Sequence, residues 1–122
     1  DAAKAQQLAA TLGKAVSLAE GGKSNDAITM IEDVIKNAKP EEAGLHALAY
    51  NGLGRCQAKA GNPKAALLAY LHLDVVYNSI PEAHAESLSR LPRLWNQVGK
   101  PDRANEATRT LKERYPGMIP TP

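Results

Sequence analysis

Asn51 and Arg55, four residues apart, and Arg90, Arg93 and Asn96, three apart, fall in two segments of helical composition, so each set shares one helix face. A guanidinium offers paired donors in a fixed fork, and an amide side chain both donates and accepts. Such groups suit a peptide backbone or a carboxylate. These five residues are the candidate partner-binding set; the alternative is a solvated face that holds no ligand. Leu48 and Lys59 share the first face, and Glu86, Ser89 and Gln97 the second.

Other reactive residue types are scarce. His46 and His84 occupy matching places near the starts of two helices, but parallel helices lie about 10 Å apart, and neither has a histidine or carboxylate four residues on. A structural or surface role is expected for them and for His72, with no metal. Cys56 and a histidine could make a nucleophile and base, yet no strained elbow, oxyanion loop or orienting third group accompanies them. No catalytic residue and no enzymatic activity are expected. The glycines are turn glycines rather than a phosphate cradle, so no nucleotide or other cofactor is expected either.

The sequence has 122 residues, 15 of them basic and 13 acidic, for a net charge of +2 with both signs interspersed. That balance gives no electrostatic reason to expect nucleic acid or an anionic membrane as partner. Trp95 and the tyrosines read as core residues rather than base-stacking platforms. Arg103, Arg109, Lys112 and Arg114 are offset by Asp102, Glu106 and Glu113 at helical spacing, as on a solvated face. One cysteine excludes an internal disulfide. No apolar run approaches the roughly 20 residues of a membrane span and no signal-peptide pattern is present, so membrane contact is expected only through a segment outside this chain. Beginning at Asp1 rather than Met, the chain fits a mature protein or a domain cut from a longer one.

The elements that must carry these faces are helices. Ala and Leu dominate the apolar residues and Phe is absent, which favours close-packed helices over sheet. Gly22, Gly61 and Gly99 follow one another at intervals of 39 and 38, and an alanine (Ala27, Ala66, Ala104) stands five residues after each. That period predicts one helix–turn–helix unit written three times, over about 2–39, 40–79 and 80–117, with 118–122 as a tail. Ser24 or Asn25 is expected to cap the second helix through its side chain, Pro40 to open the third and Pro81 the fifth. Pro92 is expected to kink the fifth in its interior.

Within the middle unit Tyr50, Leu53-Gly54, Gly61-Asn62-Pro63, Ala66 and Tyr70 stand in the order and spacing of the tetratricopeptide repeat (TPR), which the chain resembles from about Leu8 to Pro116. Leu91, Trp95, Gly99, Ala104, Leu111 and Pro116 follow the same pattern in the third unit; the first keeps Leu18, Gly22, Ala27, Ile31 and Val34. The period departs from the family's 34 residues, with extra residues at 40–46 and 81–84, and a HEAT-like helical repeat stays open as an alternative. The resemblance implies an all-α, right-handed α-solenoid of three tandem repeats that binds a protein or peptide on its concave face. The chaperone-type carboxylate clamp is not expected, because the first unit shows Ala9, Leu12, Gly13 and Val16 where the clamp needs Lys and Asn. Tyr115-Pro116 is similar to the repeat ending of TPR domains in bacterial cell-envelope proteins, which leans toward a periplasmic or envelope location with the cytoplasm left open.

The functional expectation is therefore an interaction scaffold or adaptor without chemistry of its own. Two alternatives stand beside it: a structural or homo-oligomerising module, here a homodimer covering apolar surface at the ends of the stack, and a non-catalytic appendage of a larger envelope protein.

Overall fold

A computed structural model of the chain describes residues 2–118. Those residues form six α-helices and a short 3-10 turn, with no strand among them: α1 Ala2–Glu20, α2 Ser24–Asn37, α3 Ala43–Lys59, α4 Pro63–Val76, α5 Pro81–Gln97 and α6 Pro101–Arg114, then Pro116–Met118. The all-α class follows directly. Residues 119–122, most of the expected tail, lie outside the described residues, whereas Met118 belongs to the 3-10 turn.

The three glycine turns are built identically. Gly22, Gly61 and Gly99 have φ of 90°, 83° and 78°, a left-handed conformation that other L-residues adopt only with strain. At each turn the residue after the glycine donates its N–H to a carbonyl five residues back, Lys23 to Leu18, Asn62 to Gln57 and Lys100 to Trp95, at 2.9, 2.9 and 2.8 Å. This is the Schellman arrangement that satisfies the last carbonyls of a helix. The carbonyls of Lys23, Asn62 and Lys100 then accept the first bond of the next helix, from Ala27, Ala66 and Ala104. One residue thus closes one helix and opens another. Ser24 and Asn25 consequently form no cap: the N-cap position is Lys23, without a side-chain bond.

One further expectation is corrected. The third helix begins at Ala43, not at Pro40. Lys39 N–H donates to Glu42 Oε1 and Glu42 N–H to the Lys39 carbonyl, both at 3.0 Å, and this local turn competes with a helical first turn. Pro92 lies inside α5, which runs from Pro81, as expected, to Gln97.

Each helix packs on its neighbours in the chain, and α1 also touches α3, and α3 touches α5. Apolar stripes supply the cement. Leu12, Ala15, Ala19, Ala27, Ile28, Ile31, Val34, Ala49 and Cys56 form one buried cluster across α1, α2 and α3. A second joins α4, α5 and α6 through Ala66, Leu67, Tyr70, Ala85, Leu88, Leu91, Leu94, Ala107 and Leu111. Ala47, Leu73 and Ala83 form a third, smaller cluster across α3, α4 and α5. Each fully buried Leu, Ile or Val contributes about 1.5–3 kcal/mol relative to exposure.

The large apolar side chains that remain exposed among the described residues are Leu48, Leu68, Val75, Val76 and Met118. None belongs to α1, α2 or α6; α1 exposes small apolar residues, Ala2, Ala3, Ala9 and Ala10, with Leu8 and Val16 half-buried. Polar α6 buries only Ala104, Ala107 and Leu111 and faces solvent elsewhere. No described helix is long and apolar enough to cross a membrane.

Candidate functional site

Two helix pairs touch without being neighbours in the chain, α1 with α3 and α3 with α5, and the second is joined by polar bonds. Asn51 Nδ2 donates to the Ala83 carbonyl at 3.1 Å, and Arg55 Nη2 pairs with Glu86 Oε2 at 2.9 Å. Both bonds step in the same direction along the two helices, so α3 and α5 run parallel. The junction of α1 with α3 is apolar instead: a Cβ placed on Gly52 would lie 3.3 Å from Leu12 Cδ1 and 3.6 Å from Val16 Cγ2.

Beside the Arg55–Glu86 pair opens a pocket of about 630 Å³ lined by residues of α3, α4 and α5. Four cationic side chains line it, Arg55, Lys59, Arg90 and Arg93, together with Gln97 and an apolar wall of Ala58, Pro63, Tyr70 and Leu94. Lys59, Arg90 and Arg93 are exposed, and among the described residues only Arg55 of the four has a carboxylate partner. Charges held beside a low-dielectric wall attract an anion more strongly than the same charges in open water.

Tyr70 sets the depth of this pocket. Its ring is buried against the backbone of Gly54, where an added Cβ would come within 2.6 Å of Cε2 and Cζ. Burial pushes its phenol up to about 12, with Arg90 acting in the opposite direction, so the hydroxyl stays protonated at neutral pH. Cys56, one helical position from Arg55, is 1 % exposed, and burial raises its thiol above the ordinary value. A buried, protonated thiol is a packing group.

Of the five residues read from the sequence, the structure brings Arg55, Arg90 and Arg93 into one pocket. Asn51 is corrected: it is 2 % exposed, and its amide is engaged in tying α3 to α5. Asn96 is exposed but lies outside the pocket lining. Lys59 and Gln97 join the site, both on faces that helical spacing already pointed to, whereas Tyr70 and Pro63 come from α4 and carry no such signal.

The histidines are structural in two different ways. His46 Nε2 donates to the Lys39 carbonyl at 3.0 Å while its ring stacks on Tyr77 with centroids 5.0 Å apart. His84, 1 % exposed, bonds Asp74 Oδ1 through Nε2 and Tyr115 Oη through Nδ1, at 2.5 and 2.7 Å. Nε2 donates to the carboxylate, and Nδ1 shares the second bond with the Tyr115 hydroxyl. His72 is exposed and stacks on Tyr50 with centroids 4.2 Å apart. Among the described residues no group of three or more His, Cys, Asp or Glu side chains is placed to hold a metal ion.

No protein-family model, curated protein or solved structure matches this chain.

Proposed function

We propose that the chain is a TPR-like α-solenoid of three helix–turn–helix repeats, an adaptor that binds an acidic segment of a protein partner on the face shared by α3 and α5. The observation that carries this reading is the pocket of about 630 Å³ in which Lys59, Arg90 and Arg93 surround an apolar wall and have no carboxylate among the described residues. Identical turns at Gly22, Gly61 and Gly99, together with parallel α3 and α5, support the repeat architecture. A peptide that offers a carboxylate beside an aliphatic side chain complements both halves of such a surface.

A fluorescein-labelled decapeptide of alternating Glu and Leu, followed by anisotropy, tests it. Binding that weakens with salt, and that falls at least about tenfold in Lys59→Glu/Arg90→Glu, is the expected result. Both side chains are exposed, so the variant's melting temperature should stay close to the parent's. Undiminished affinity in the double reversal overturns the assignment. Homo-oligomerisation is a second reading, favoured by Leu68 and Val75, which sit seven residues apart on one face of α4 and are 67 % and 72 % exposed. A mass that rises with protein concentration, and falls back in Leu68→Glu, distinguishes it.

A further inference from the structure

The flank of α3 that receives α5 has a counterpart on α5 itself, 38 residues further along the chain. On α3 that flank consists of Ala47, packed with Ala83; Asn51, bonded to the Ala83 carbonyl; and Arg55, paired with Glu86, with Ile80 packed at its margin. Their counterparts are Ala85, Ser89, Arg93 and Met118. Ala85 is buried in the cluster of α4, α5 and α6, whereas Ser89 is half-buried and Arg93 and Met118 are exposed. An open groove of about 370 Å³ is lined by Glu82, Ala85, Glu86, Ser89, Arg90 and Met118, with Arg93 outside its lining. Met118 is 41 % exposed, whereas its counterpart Ile80 is half-buried and packs against the third cluster.

We propose that this outer flank of α5 seats an amphipathic helix of a partner protein, running parallel to α5, with a small residue over Ser89 and an acidic residue three positions later against Arg93. The chemistry is copied from the internal junction, where Ala83 and Glu86 play those parts against Asn51 and Arg55. Charge decides against a second copy of this chain as the occupant. At the place of Glu86, α3 has Leu48 and α1 has Ala9, so stacking copies end to end brings no carboxylate to Arg93. The proposal rests on reading the helix pairs as successive copies of one unit, and its site adjoins the pocket that holds Lys59 and Gln97, whose lining includes Arg90 and Arg93.

The probe is a stapled synthetic helix with the sequence of residues 81–97, the natural occupant of the preceding flank. Titrated into the whole protein and followed by amide chemical shifts, it should perturb Ala85, Ser89 and Met118. The same peptide carrying Glu86→Lys should bind at least about tenfold more weakly, and Lys59→Glu in the protein should leave binding unchanged. Shifts centred on Lys59 and Gln97 would sink the flank while leaving the acidic-segment reading intact. Absence of binding overturns it, and so does a mass that doubles without peptide while the same three amides broaden.

Discussion

Tyr70 and Gly54 show how far one side chain can set a surface. The phenol ring forms a wall of the basic pocket because nothing larger than hydrogen stands opposite it, and the gap is 2.6 Å for any Cβ at position 54. In Gly54→Ala the gain in helix propensity, about 1 kcal/mol, is outweighed by displacing a buried aromatic ring, so net destabilisation of roughly 1–3 kcal/mol is expected in urea melts. Trimming the ring in Gly54→Ala/Tyr70→Leu should recover part of it; no recovery means that the contact is not the cause. The third unit solves the same crowding differently. Pro92 and Thr108 stand where Gly54 and Tyr70 stand, so a bulkier residue on the first helix is matched by a shorter one on the second.

At the scale of elements, the helices were legible wherever a glycine closes them, because φ near 80–90° is a demand that only glycine meets without strain. What sequence could not supply was the use of a single residue at each turn for two helix ends, which leaves no room for the capping side chain expected at Ser24 or Asn25. The start of α3 was misread for a related reason: Glu42 binds the Lys39 N–H instead of leading a helical turn. The candidate site was half legible, since spacing identifies a face but not whether a neighbouring helix already covers it, as α5 covers Asn51. The end of α6 depends on a contact that no spacing rule suggests, the bond of Tyr115 to His84, with Asp74 on the other side of the ring. Tyr115→Phe should cost about 1 kcal/mol and speed hydrogen exchange at the Met118 amide, which bonds the Tyr115 carbonyl at 3.0 Å. Unchanged exchange there would mean that the phenol does not hold the 3-10 turn in place.

Across the whole molecule the two junctions between helices that are not neighbours in the chain differ in kind. Oil joins α1 to α3 through Leu12, Val16 and Gly52, while hydrogen bonds and an ion pair join α3 to α5. Salt therefore acts on the second junction and leaves the first largely untouched, whereas temperature and cosolvents that weaken apolar burial act on both clusters. The sulfur of Cys56 lies in the first cluster with Leu12, 1 % exposed, and is the molecule's only thiol. It serves as a built-in clock for the opening of the amino-terminal helices. Disulfide-exchange reagents should modify it slowly in the native protein and faster once Leu12→Ala loosens the cluster, at a pace set by how often those helices part. A labelling rate indifferent to Leu12→Ala would show instead that reagents reach the sulfur through the closed form.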